Sequence, residues 1–351
     1  MRAPRSWQTQ DANGRFFHCI SRVVDQQFVL GKEEKDHFVQ IMRKVEAFSG
    51  IKVLTFCVMD NHFHVLLEVP DRQELSDQEF LKRIRLFYSG KTSGITRRDI
   101  EWKMENWREK GWDDAVDELK ERYISRMYNL SEFMKTLKQR FTQWFNGKHH
   151  RKGTLWESRF KSVLVGGSWE AILSVAAYID LNPIRARMVA DPEDYRWCGY
   201  GQALAGKKIA RRGLGAILET EGQSSHWTHV SHEYRKLLYG VGEKETRSKQ
   251  TRKIIGHGLD QDTIQNVLDS GGTLTQAQLL RCRARYFCDG FVIGTKEFVN
   301  DFFQHNSNRF GSQRQDGARK IRGANCPNIC TLRDLRIDRI TCERKSSGID
   351  N

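Results

Sequence analysis

Two histidines, His62 and His64, lie two residues apart in the run His62-Phe-His-Val-Leu-Leu-Glu-Val69, which reads as a strand stopped by Pro70. Alternate residues of a strand share a face, so both imidazoles can close on one divalent cation while Phe63, Val65 and Leu67 take the apolar side. The same spacing suits two histidines packed or solvated on a sheet, so the pair alone does not decide. Tyr178 offers a second reactive group. It falls in a helix-forming stretch one turn before Asn182, and an i, i+4 pair projects from one helix face. A phenol can act as a nucleophile, but helix tyrosines are ordinarily core material, and nine tyrosines allow no choice without context.

Positioning these groups takes an ordered set of elements. Arg15 to Arg22 reads as a strand, and Glu33 to Phe48 as a helix with Phe38, Ile41, Met42 and Val45 at helical spacing, ended by Ser49-Gly50. Ile51 to Met59 and His62 to Val69 form a hairpin around the turn Asp60-Asn61. Residues 71–128 change character, becoming charged with helical runs such as Asp114 to Met127, and read as an insertion. Phe133, Leu137, Phe141, Trp144 and Phe145 trace the next helix, a basic loop runs from Gly147 to Gly153, and Ser158 to Val165 is a strand. Ser168 caps a helix with Trp169, Ile172, Leu173, Ala176 and Ile179 as its buried stripe, ending near Pro183. This order predicts an α+β fold over residues 13–200, a ferredoxin-like antiparallel sheet with covering helices.

With those elements in place, the segment Met59-Asp-Asn-His62-Phe-His64-Val-Leu-Leu-Glu-Val-Pro70 resembles the histidine strand of REP-associated tyrosine transposases, a single-tyrosine HUH family. Asn129 to Asn146, Gly153-Thr-Leu-Trp-Glu-Ser-Arg-Phe-Lys161 and Tyr178-Ile-Asp-Leu-Asn-Pro-Ile-Arg-Ala-Arg-Met-Val189 are similar to that family in the same order, and the strand around His18 to Arg22 is similar too. The resemblance implies two histidines binding a divalent cation, a helical tyrosine nucleophile, and a polar residue four positions later completing the metal site. On this chain these are His62, His64, Tyr178 and Asn182. It further implies cleavage and rejoining of single-stranded DNA, at hairpins of palindromic repeats, through a 5′-phosphotyrosine and a free 3′-OH. The donor set suits Mn²⁺ at least as well as Mg²⁺, and both stay open. Asn182 precedes Pro183, which biases it away from helical backbone, so metal ligand and helix cap are equal readings.

Composition points the same way. Lys and Arg number 58 against 44 Asp and Glu, a formal charge of +14, which favours a polyanionic partner. Lys135, Lys138, Arg140, Lys148, Arg151, Lys152, Arg159 and Lys161 crowd one region, with Trp144, Phe145 and Trp156 as stacking surfaces for single-stranded DNA. No run of about 18 apolar residues exists and Met1 to Gly14 lacks an apolar signal core, so the expected location is the cytoplasm, on the nucleoid when DNA is bound, with no membrane partner. The eight cysteines form no CxxC pair, and Cys326, Cys330 and Cys342 do not complete a zinc pattern. Residues 201–259, with the polar run Gly242 to Lys253, read as a linker, and 260–340 as a mainly helical, basic accessory region, open to a DNA-binding role, that includes a helix over Leu274 to Phe287. A cut after about residue 205 is therefore expected to spare the chemistry. A homodimer and a tyrosine acting in cis or in trans are all open. The competing functions are a non-catalytic, transposase-derived regulator that binds hairpins, and a metal-dependent hydrolase that forms no covalent product.

Overall fold

The computed structural model describes residues 15–90, 93–219, 226–239, 261–310, 314–332 and 340–341. Strand β1 (Arg15–Arg22) leads into helix α1 (Lys32–Ser49), strands β2 (Lys52–Val58) and β3 (His62–Val69), the insertion helices α2 (Asp77–Phe87), α3 (Ser93–Glu109) and α4 (Asp113–Ile124), then α5 (Leu130–Lys148) and β4 (Lys161–Val165). The sheet order β2-β3-β1-β4, with every neighbour antiparallel, is the ferredoxin-like arrangement. In it β3 lies between β2 and β1, so the histidine strand is held from both sides.

Strand parity sorts the side chains. Phe63, Val65 and Leu67 join Phe38, Met42, Val45, Phe133, Leu137 and Phe141 in one core, beneath α1 and α5. Leu66 points the other way, into a second core with α6 (Trp169–Asp180), and His62 and His64 share its parity. A bulge in β2 between Val53 and Thr55 shifts the register so that Thr55 and Cys57 come opposite Leu66 and His64. The insertion is helical, as its charge pattern suggested, and it docks Phe80, Ile84, Phe87, Ile100, Met104 and Leu119 into the α1–α5 core.

Beyond α6 the chain continues through α7 (Asn182–Arg185), α8 (Gly199–Leu204), α9 (Lys208–Glu219) and α10 (Trp227–Tyr239). This corrects the linker expected over 201–259: residues 199–219 and 227–239 are helices whose Ala203, Ala210, Leu214, Val230 and Tyr234 lie in the α6 core. The approach is close enough that a Cβ on Gly213 would stand 2.6 Å from the carbonyls of Val53 and Leu54. The run Gly242 to Lys253 lies outside the described residues.

The C-terminal part is likewise built into the fold. After α11 (Gln261–Asp269) come α12 (Gln276–Arg281), β5 (Arg283–Ala284), α13 (Tyr286–Asp289), β6 (Val292–Gly294), α14 (Lys296–His305), β7 (Arg319–Lys320), β8 (Cys330–Thr331) and β9 (Ile340–Thr341). The helix expected over Leu274 to Phe287 is broken into α12, β5 and α13, because Cys282 is extended and β5 pairs with β9. Strand β6 pairs in parallel with β4, and β8 and β7 follow, so the sheet grows to the order β2-β3-β1-β4-β6-β8-β7.

A buried carboxylate fixes α6. Asp180 is 0% exposed and accepts from Thr55 Oγ1 at 2.9 and 3.0 Å, from Tyr234 Oη at 2.6 Å and from the Tyr200 amide at 3.2 Å. Three elements, β2, α8 and α10, are thereby tied to the helix that carries Tyr178. Burial pushes its pKa up to about 6, against the lowering effect of those donors.

Two expectations follow. Removing residues after 205 strips α9, α10 and β6 from the cores and should leave a chain without a cooperative urea transition; a truncated protein that unfolds as sharply as the full chain would restore the reading of separable domains. Asp180→Asn should cost roughly 2–4 kcal/mol, since donors arranged for an anion lose their partner. Native Asp180 holds a proton up to about pH 6 while the unfolded chain releases it near 3.8, so stability owed to Asp180 grows as pH falls through that window. The gap between wild type and Asp180→Asn should widen from pH 7 to pH 4, and a constant gap would contradict it.

Candidate active site

The hairpin turn sets the first histidine. Asn61 donates its amide Nδ2 to the Gln26 carbonyl at 3.0 Å, which leaves its oxygen as acceptor for His62 Nδ1 at 2.6 Å. His62 Nδ1 therefore carries the proton and Nε2 presents a lone pair. His64 Nδ1 lies 2.9 Å from His18 Nε2, and His18 Nδ1 lies 2.8 Å from the Phe287 carbonyl. The His62 and His64 rings stand 5.1 Å apart at 75°. Both histidines stay neutral: burial holds the pKa of His62 down to about 3, with Arg22, Arg283 and Arg185 adding to the effect, and burial also lowers His64 well below the imidazole range. A neutral imidazole with Nδ1 occupied is the form that donates Nε2 to a divalent ion, so these two residues fit the implied metal.

Tyr178 reaches the same sheet face from α6. Its ring lies 6.4 Å from that of His18, edge to face, and stacks on Phe287 at 4.6 Å. The Arg185 guanidinium covers its other side at 3.9 Å from the centroid, bound to the carbonyls of Tyr178 and Leu280 at 2.6 Å. The phenol oxygen meets Cys288 Sγ at 3.2 Å. Only 2% of the residue is exposed, and burial raises its pKa well above the phenol range, with Cys288 adding to the shift. The ring is thus held in a protonated, enclosed state.

Asn182 takes a cap's geometry. Pro183 has no N–H for the Ile179 carbonyl, and the Asn182 amide supplies one instead at 2.9 Å, with the Tyr178 carbonyl at 3.3 Å. Leu181 adopts φ −85° and ψ 1°, and α7 begins at once with Pro183 in its first turn. Among the described residues no group of three or more His, Cys, Asp or Glu side chains is placed to hold a metal ion.

The basic set does not act as one surface. Lys135, Lys138, Arg140 and Lys148 lie on α5, in the layer across the sheet from the histidines. Arg140 binds the Phe87 carbonyl at 3.0 Å and stacks on its ring at 3.5 Å, tying α5 to the insertion, and Lys148 pairs with Glu33 and Glu34 at 2.7 Å. Trp156 is 6% exposed and Phe145 2%, both in the α1–α5 core, which corrects their reading as free stacking platforms. Lys152 and Arg159 are exposed, and Lys161 is exposed while paired with Asp289 at 3.3 Å. The loop that carries Lys152 and Arg159 runs beside the end of β1, where Glu157 N donates to Arg22 O at 3.0 Å. Arg151 lies over Phe145 at 5.7 Å.

Sequence reasoning missed His18, Arg22, Arg185, Arg283, Phe287 and Cys288. His18 alternates with Phe16 on β1, opposite in parity to the core residue Cys19, and that alternation was its available signal. The others come from Arg-rich or distant segments with no local pattern.

No curated protein matches the chain. Among solved structures it is similar to a REP-associated tyrosine transposase bound to a REP hairpin, at 13% identity and a TM-score of 0.36, over 59% of this chain and 87% of that one. That likeness is too distant to bear on the site. The family model of IS200-like transposases matches residues 13–116, a segment that holds His18, His62 and His64 and stops short of Tyr178.

Proposed function

We propose that the protein is a transposase that cuts and rejoins single-stranded DNA at hairpins of palindromic repeats, with Tyr178 as nucleophile and a divalent cation, Mg²⁺ or Mn²⁺, held by His62 and His64. The observation that carries this reading is the pair of Nε2 lone pairs on one sheet face, with Tyr178 packed beside His18 on that face. A bound divalent ion would polarise the scissile phosphate and offset its developing charge. Arg22, Arg185 and Arg283 surround the histidines with positive charge that attracts a phosphodiester. The Tyr178 oxygen attacks phosphorus, the bond to the 3′-oxygen breaks, and a 5′-phosphotyrosine and a free 3′-OH result; rejoining runs the same exchange in reverse. Asn182 acts here as the cap that ends α6, with a ligand role resting on the resemblance alone.

The enclosure of the phenol imposes a condition. At 2% exposure Tyr178 cannot reach a phosphate until Phe287 and Cys288 move aside. That burial also favours the second reading, a regulator that binds hairpins without cutting them.

One assay separates the two. Incubation of the full chain with a single-stranded hairpin carrying flanks, plus Mn²⁺, should give a covalent adduct on a denaturing gel, mapped by peptide analysis to Tyr178. Tyr178→Phe should bind the hairpin with near wild-type affinity and form no adduct. An adduct mapping to Tyr123, Tyr128 or Tyr195 would refute the assignment, and hairpin binding without any adduct would favour the regulator. His62→Ala and His64→Ala should each keep the wild-type circular dichroism spectrum and lose metal-dependent cleavage; undiminished cleavage by either would remove the metal role.

A further inference from the structure

His18 is 0% exposed on β1, between Leu66 of β3 and Val163 of β4. Both of its ring nitrogens are engaged, and the partners fix which one carries the proton. The Phe287 carbonyl can only accept, so His18 Nδ1 donates to it at 2.8 Å. In the neutral ring Nε2 is then an acceptor, and it faces His64 Nδ1 at 2.9 Å. His64 must donate from Nδ1, which leaves its Nε2 unprotonated. The two rings stack at 5.1 Å and 27°, a geometry that also restricts rotation of His64.

We infer that His18 is a positioning residue for His64, relaying the polarity of the Phe287 carbonyl into the one tautomer of His64 that can bind a metal through Nε2. This rests on the reading of His62 and His64 as ligands. The chain of hydrogen bonds begins on α13, some 220 residues from the histidine strand in sequence, so the C-terminal part sets the protonation pattern of a site whose candidate ligands lie near the N-terminus. Asn61 does the corresponding work for His62 from within its own turn. Partners of this kind typically change metal affinity by about 10- to 100-fold when removed.

The test compares His18→Phe, which keeps a planar ring and removes the acceptor, with His18→Gln, whose amide oxygen can take the place of Nε2. In the metal-free full chain labelled with ¹⁵N-histidine, the His64 resonances, assigned through His64→Ala, should report the Nδ1–H tautomer in wild type and in His18→Gln. His18→Phe should shift them towards a mixture of tautomers. Titration with MnCl₂ by calorimetry should give affinity reduced by about tenfold or more in His18→Phe and largely restored in His18→Gln. His18→Phe with an unchanged His64 tautomer and unchanged Mn²⁺ affinity would overturn the inference while leaving the ligands intact. Mn²⁺ binding that His64→Ala does not weaken would instead overturn the ligand assignment, and the relay with it. Should His18→Phe fail to fold, a wild-type spectrum showing His64 protonated at Nε2 overturns the inference by itself.

Discussion

The buried carboxylate of Asp180 is the constraint on which the arrangement turns. Two residues after Tyr178 on α6, it collects donors from β2, α8 and α10, and a buried anion tolerates no loss of those partners. Its hydrogen bonds fix both the rotation of α6 and its height over the sheet. Thr55 can serve only because the bulge in β2 brings it opposite Leu66 on the α6 side. The helix that presents Tyr178 is therefore locked to the same sheet that presents His18, His62 and His64, and these candidate groups come from segments far apart in sequence.

Two requirements pull against each other at that face. Stability favours closure: Phe287 stacks on Tyr178, Arg185 covers the opposite side of the ring, and the phenol meets Cys288. The proposed attack on DNA would need the same phenol open and deprotonated, in surroundings that raise its pKa. The partners of Tyr178 differ in kind. Arg185 is anchored to backbone carbonyls on α6 and α12, whereas Phe287 and Cys288 belong to α13, a single short turn.

The fold was legible where local pattern suffices. The alternation His62, His64 against Phe63, Val65, Leu67 gave the faces of β3, the helical spacing of Phe38, Met42 and Val45 gave α1, and Ser168 marked the start of α6. What stayed hidden depends on long-range pairing. The sheet's growth beyond β4 uses two- and three-residue strands with no periodic signature of their own. The helices α8, α9 and α10 looked like linker because Gly and Lys recur there without a clear apolar period, yet glycine at 213 is what lets α9 lie against β2. In the site, type and spacing made the histidine pair a candidate, while Tyr178 was singled out among nine tyrosines only through the family resemblance. His18 was passed over because its importance lies in two hydrogen bonds, one reaching 269 positions along the chain. The basic run along α5 carries no local signal for which face of the sheet its helix covers, and that placement comes from the packing of Phe133, Leu137 and Phe141.

The proposed function requires that one face of the sheet hold a divalent cation through Nε2 of both His62 and His64, with Tyr178 beside it. Anomalous diffraction from a crystal of the full chain soaked in MnCl₂ tests it directly. The account predicts a manganese peak about 2 Å from Nε2 of both His62 and His64, on the α6 side of the sheet. A peak bound through Nδ1 of either histidine, or manganese located elsewhere with this pair bare, would contradict it.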